Sequence, residues 1–437
     1  MRWKHPFLMM VVPAMLLGVA NPIRSQSQNP VSQEPPNSCV SCHLEEEEEL
    51  AEPAKAMEND IHAKNGLSCA DCHGGDPTAG LDGDPDAAMD PAKGYIGVPD
   101  RTEIPRFCGR CHSDPEYMRQ YNPRLPTDQL DRYKTSIHGK RLATGDEKVA
   151  TCVDCHGTHG ILKANDSRSP VYATNVPQTC ARCHADEEYM ADYDIPTDQV
   201  EEYEKSVHGL ALLKRGDTAA PACNDCHGNH GAAPPAVPSV VYVCGQCHVN
   251  NSEMFQESPH KDAFAEEDLP ECETCHGNHG IEHPKDEMLG VGPESICLEC
   301  HDEGEKAYEV AAKMYVDIDS LKTAIFRADS LVKVAETAGM EVVDAKFSIS
   351  DARQFLIKSR TIIHKLSVEE LEKLSKEGMK KAMEAYAMGV AALEELQFRR
   401  KGLAISTIFI IILAIGLYFK IREVDEKTQF QEMELGE

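Results

Sequence analysis

The pattern of apolar and polar positions divides the chain into four stretches. The first begins Met1-Arg2-Trp3-Lys4-His5, runs apolar from Pro6 to Ala20 and then turns polar, rich in Gln, Asn and Ser. A basic start, a short apolar centre and a polar exit are the layout of a secretory signal, here residues 1–25, with removal expected after Ala20 or around Ser25. The second stretch, residues 39–302, shows little sustained periodicity outside the segments leading into His138 and His208, and predicts short helices and loops. In the third, residues 303–401, apolar positions recur at helical spacing. One helix is expected to run to about Gly339, a second to pass through His364, and a third to start at the capping box Ser367-Val368-Glu369-Glu370. Together they predict a helical hairpin or bundle. The fourth stretch, 402–419, is eighteen residues without a charge, about 27 Å as a helix and enough to cross a bilayer core. It reads as one C-terminal transmembrane helix that the third helix could run into. Basic residues flank it on both sides, so flanking charge does not orient it. Export of the N-terminal part does: residues 39–302 on the extracytoplasmic, periplasmic side of the cytoplasmic membrane, and the tail 420–437 in the cytoplasm.

Composition shows that the second stretch lacks an ordinary interior. Of 437 residues, 41 % are hydrophobic and only 6 % aromatic, and the single tryptophan, Trp3, lies in the leader. Something other than side chains must fill the space. The net charge of -29 excludes a nucleic-acid binder, because no basic patch can displace counterions from phosphates. It is compatible with a redox partner that has a basic face.

The eighteen cysteines supply the missing filler. They are nine Cys-x-x-Cys pairs, each followed at once by histidine: Cys39, Cys42 and His43; Cys69, Cys72 and His73; Cys108, Cys111 and His112; Cys152, Cys155 and His156; Cys180, Cys183 and His184. The series continues with Cys223, Cys226 and His227; Cys244, Cys247 and His248; Cys272, Cys275 and His276; Cys297, Cys300 and His301. This is the attachment motif of c-type haem. Two thiols at this spacing add to the two vinyl groups on one edge of the macrocycle, and the adjoining histidine falls beneath the iron as proximal ligand. Tetrahedral zinc sites also use cysteine and histidine, but they give no reason for histidine to follow the second cysteine in all nine pairs. Nine covalent haems c are therefore expected.

What fills the sixth position of each iron separates carrier from catalyst. Beyond the proximal histidines and His5 of the leader, the chain has nine more: His62, His138, His159, His208, His230, His260, His279, His283 and His364. Seven of them follow a repeat with an offset of about 70 residues: 72 from Cys108 to Cys180, 71 from Cys152 to Cys223 and 70 from His138 to His208. The two-haem modules are 39–75, 108–160, 180–231 and 244–283, with a ninth haem at 297–301. Each full module carries one spare histidine before its second motif and one just after it, in a CHGxHG run, and so could ligate its own irons. The two histidines of such a run are too close to bind both faces of one iron, so the second must serve another haem. The first module lacks the trailing histidine and the ninth haem has no module, which leaves His283 and His364 to complete the count. Met57, Met118 and Met190 are competing ligands.

The S-x-H-G segments at His138 and His208 and the CHGxHG runs resemble the class III multihaem cytochromes c and the tetrahaem quinol dehydrogenases that feed periplasmic nitrate and nitrite reductases. The resemblance covers the haem region, about 60 % of the chain. It implies bis-histidine, low-potential haems and electron transfer. Two departures stand out: the anchor is C-terminal, and Gly402 comes 101 positions after His301. The expected role is an electron-transfer subunit, not itself an enzyme, between a membrane partner such as a quinol-oxidising b-type cytochrome and an acceptor protein outside the membrane. The alternative is a reductase of a small nitrogen or sulfur compound with one open haem. A full ligand count, and no lysine in place of any proximal histidine, weigh against it.

Overall fold

The computed structural model describes residues 37–80, 84–233 and 240–434; the leader lies outside them. All regular structure among these residues is helical, with no strand. The chain forms two compact units, residues 1–99 and 100–437.

In the first unit, α1 (Ser38–Glu45) carries the first CxxCH motif and α2 (Glu48–Ala56) follows it. Asn37 caps α1, its side chain accepting from the backbone of Cys39 and Val40. The second motif forms the short helix Cys69–His73.

The second unit begins with motif helices of four to nine residues joined by loops. Their ends are written in the sequence. In CVDCH and CNDCH, as in CADCH of the first unit, the aspartate accepts the backbone N–H of the residue before the first cysteine: Thr151 to Asp154 at 2.6 Å, Ala222 to Asp225 at 2.7 Å and Ser68 to Asp71 at 2.6 Å. The glycine after the histidine closes each helix in a backbone conformation with positive φ, as at Gly157 (86°) and Gly228 (85°).

The unit ends in a three-helix bundle: α3 (Lys306–Thr337), α4 (Val343–Ile362) and α5 (Val368–Glu434). Met314, Ile318, Leu321, Ile325, Ala328, Val332 and Ala335 on α3 are spaced alternately by four and three and are all buried. Ala345, Ile349, Ala352 and Leu356 on α4 keep the same spacing, and with Leu371, Ala382 and Ala385 of α5 they form one apolar core. Heptad spacing of this kind gives long helices packed at a shallow angle. Gly339 (φ 81°) turns α3 into α4, with Met340 N–H donating to the Ala335 carbonyl at 3.1 Å, a Schellman closure. One expected feature shifts. His364 sits in the 3-10 turn Ile363–Lys365 and not inside a helix, because Leu366 takes a left-handed conformation (φ 56°) that ends α4. The third helix does continue without a break through 402–419, its apolar side chains there exposed. It is the one helix among the described residues long and apolar enough to cross a membrane, with a window of mean hydropathy 2.4.

The bundle is pinned to the motif region by charge. Asp286, only 7 % exposed, accepts two bonds of 2.8 Å from Arg360 of α4 and an ion pair of 2.9 Å from Lys322 of α3.

Candidate haem-ligand array

The S-x-H-G segments show how a spare histidine is aimed. Ser136 caps helix Ile137–Leu142: its hydroxyl donates to the Tyr133 carbonyl at 2.6 Å and accepts the Gly139 N–H at 2.9 Å. Ser206 repeats both contacts with Tyr203 and Gly209, at 2.7 and 3.0 Å. The glycine is required, since a Cβ on Gly139 or Gly209 would lie 2.0 or 1.9 Å from the tyrosine carbonyl oxygen. The same segments lock successive modules together. Ile137 N–H donates to the Ala232 carbonyl at 3.0 Å, and Val207 N–H to the Ile281 carbonyl at 2.9 Å, each acceptor lying just past the CHGxHG run of the next module.

Six proximal histidines each face one spare histidine. The pairs are His184 with His138, His156 with His230, His248 with His208, His227 with His279, His301 with His260 and His276 with His364. Their ring centroids lie 5.9–6.2 Å apart, while the angle between ring planes ranges from 8° to 57°. Stacking would fix the angle together with the distance. A metal between two imidazoles fixes the distance and leaves each ring free to turn about its own bond. Two metal–nitrogen bonds of about 2 Å each, plus the distance from each nitrogen to its ring centre, put opposed centroids roughly 6 Å apart. The residues fit a haem iron with two axial histidines.

None of these pairs lies inside one module. His138 faces the first motif of the following module, and His230 faces the second motif of the preceding one. A full module was expected to satisfy its own irons, whereas the ring pairs observed all run from one module to another part of the chain.

The ring nitrogens are prepared for ligation. Nδ1 is engaged by a backbone or carboxylate oxygen in His43 (Leu50 carbonyl, 3.0 Å), His62 (Asp60, 2.9 Å), His73 (Gly97 carbonyl, 2.9 Å) and His227 (Ala233 carbonyl, 3.0 Å). The same holds for His283 (Pro284 carbonyl, 3.0 Å), His301 (Glu305, 3.2 Å) and His364 (Thr361 carbonyl, 2.9 Å). This sets the tautomer and leaves Nε2 as the nitrogen that could bind a metal. The Asn251 amide lies 3.5 Å from His364 Nε2, at the limit of hydrogen-bond reach. Burial, and next a facing imidazole, hold His138, His156, His208, His260 and His276 below the usual histidine range. They are held in the neutral form that binds metal.

The remaining candidates divide. His62 is held by Asp60, which is 1 % exposed. His159 lies in the loop after helix Cys152–His156. His283 lines a cleft of about 270 Å³ with His276, Glu282 and Met288, but no ring faces it among the described residues. Met118 and Met190 are buried at matching positions of successive repeats, and Met57 begins a 3-10 turn after α2. Sequence reasoning missed the capping aspartates Asp71, Asp154 and Asp225; their recurrence between the two cysteines was the available signal.

The cysteines lie in a row. Burial and the nearby Cys39 push the Cys69 thiol up. In the second unit Cys152 bonds Cys108 and is lowered by it, while Cys180 is raised by Cys223 and Cys272 by Cys244. Burial, then the next motif's thiol, pushes Cys155 to about 11 beside Cys180, Cys226 up beside Cys244, and Cys275 to about 11 beside Cys297. Seven consecutive motifs are thus neighbours in chain order, from Cys108 to Cys300.

Two family models and one known protein match parts of the chain. Residues 61–193 match the cytochrome c3 family model and residues 262–306 the doubled CXXCH motif model. The chain is 25 % identical over 175 residues to the multiheme cytochrome MtrA of Shewanella baltica (strain OS185), an alignment covering 40 % of this chain and 37 % of that protein. The chain is a multihaem c-type cytochrome with covalently bound haem c.

Proposed function

We propose that the chain is a membrane-anchored nonahaem conductor, which moves electrons between a quinol-linked partner in the membrane and acceptors on the extracytoplasmic side. The observation that carries this reading is the fixed 5.9–6.2 Å spacing of six histidine pairs whose ring angles vary widely. An iron held on both faces binds no substrate and changes little in shape between its redox states, so its work is to accept and pass on one electron. The row of adjoining motifs gives those electrons a single line of neighbours. The haems supply the redox chemistry. The protein's own groups set their orientation through the Nδ1 contacts and join each module to the next through shared ligands. Burial and hydrogen bonding of these ligands tune the potentials.

The C-terminal helix supports the anchor. From Val368 to Gly402 it extends about 50 Å, so the haem at His276 and His364 is held well away along the helix from the apolar segment. A donor that itself projects from the membrane fits this spacing better than quinol bound beside a haem.

The ligand array is tested by two variants of the full holoprotein. In His364→Ala one iron should turn from low- to high-spin by EPR and magnetic circular dichroism; His283→Ala should leave that count as in the parent. An unchanged spectrum for His364→Ala would remove the ligand assignment on which the reading rests.

A further inference from the structure

One position inside the motifs of the second unit changes charge along the chain. In the first motif of each module the residue just before the second cysteine is Arg110, then Arg182, then Gln246, and in the ninth motif it is Glu299. Arg182 shows what such a residue reaches. Its guanidinium crosses the junction between two modules and donates to the Asp154 carbonyl, next to Cys155. It therefore stands between the attachment sites of two successive haems. The Asp154 carboxylate is itself neutralised by Arg101, which pairs with it at 2.7 Å and also donates to the Val149 carbonyl at 2.8 Å.

One junction further on, both cations are replaced. Gln246 takes the place of Arg182, and the repeat puts the uncharged Tyr172 and Ala173 where Arg101 stood, while Asp225 keeps its bond to the Ala222 N–H. At the last junction the sign is reversed, with Glu273 inside the eighth motif and Glu299 inside the ninth. The neighbouring thiols feel these charges. Burial raises Cys155 and Cys183, and Arg182 opposes it at both; burial raises Cys275 too, and there Glu299 adds to it.

We propose that these side chains grade the haem potentials, high where Arg182 lies between Cys155 and Cys180 and low at the ninth motif beside Glu299, so that electrons run from the Cys297 end toward the Cys180 end. Reduction adds one negative charge to a haem, so a nearby cation favours the ferrous form and a carboxylate the ferric form. Each step moves one electron from a ferrous haem to the adjoining ferric one, oxidising the first and reducing the second. The ninth motif ends five residues before α3 begins, so the low-potential end adjoins the bundle that leads along the chain to the apolar helix. This direction rests on the conductor reading and gives it a donor side and an acceptor side.

The test uses the full holoprotein at low ionic strength, because Arg182 and Glu299 are exposed and salt screens exposed charges. Visible spectra are followed through redox titrations of the parent and its variants. Arg182→Gln should move one step in the upper half of the titration to lower potential and leave the lower half in place. Glu299→Gln should move one step in the lower half upward and leave the upper half. Gln246→Arg should raise a step between them, and Arg182→Lys, which keeps the charge, should follow the parent. A shift of either charge-removing variant in the opposite half, or no shift in Glu299→Gln, overturns the proposal. Since Glu299 is exposed, its variant decides the matter even where Arg182→Gln does not assemble. EPR of the parent reads the conductor separately: low-spin irons with reversed shifts refute the direction alone, whereas high-spin irons throughout refute the conductor itself.

Discussion

Within the second unit, the bundle and the motif region use the same secondary structure and are held by different means. From α3 to α5 a continuous heptad seam buries Ile318, Leu321, Ala352 and Leu371 at 2 % exposure or less. Among the described residues between 100 and 302, Leu212 is the one large aliphatic side chain closed off completely, at 0 %. There the recurring contacts are ring pairs, capping aspartates and backbone bonds between modules. One region derives its stability from removing apolar surface from water. The other places paired imidazoles and capped motif helices where the bundle has its apolar seam.

That contrast is open to attack, beginning where the effect should be largest. Replacing Cys180 and Cys183 by alanine removes one attachment site and leaves His138 and the adjoining thiols of Cys155 and Cys223 without their neighbour. The expected result is loss of one haem and new protease cleavage across 108–231, with 306–397 still resistant. Haem content and mass-mapped proteolysis would show it. Cleavage confined to the bundle would reverse the picture.

Leu321→Ala, in the centre of the seam, should cost about 2–5 kcal/mol of bundle stability and leave the haem spectra untouched. Thermal unfolding followed by circular dichroism, alongside visible absorbance, separates the two regions.

Acid should act on the motif region first. Its paired histidines His138, His156, His208, His260 and His276 are held below their ordinary value by burial, so the unfolded chain binds protons that the folded chain refuses. Stability is therefore present above the unfolded pKa of about 6.5 and is lost as pH falls below it. Low-spin haem should give way to high-spin on acidification; conversion on raising the pH above neutral would contradict the sign. The smallest effect expected is that of Ser206→Ala, which removes one cap and should cost about 1 kcal/mol, read as a small drop in the denaturation midpoint.

The two regions were also unequally legible from sequence. Heptad spacing and Gly339 located the bundle to within a few residues, because helical packing repeats at a fixed local period. The CxxCH motifs were equally plain, because covalent attachment is a local event. Which spare histidine meets which iron was not legible. Spacing shows that His156 and His159 cannot share an iron, but it does not say how one module lies against the next. His364 was found by counting, and its place in a 3-10 turn depends on the left-handed Leu366, which no period announces. His283 satisfied the same count and faces no ring.

The crossed pairing of histidines also sets an order in time. Chains are made from the N-terminus. When the motif at His184 emerges, its proposed second ligand, His138, is already present; so is His208 for His248 and His260 for His301. The alternate motifs must wait: 74 residues from His156 to His230, 52 from His227 to His279 and 88 from His276 to His364. Half of these irons can be completed on arrival, while the others stay half-finished until the following stretch is made. The last proposed site to close waits for His364, in the turn between α4 and α5, just ahead of the helix whose Leu371, Ala382 and Ala385 complete the bundle core.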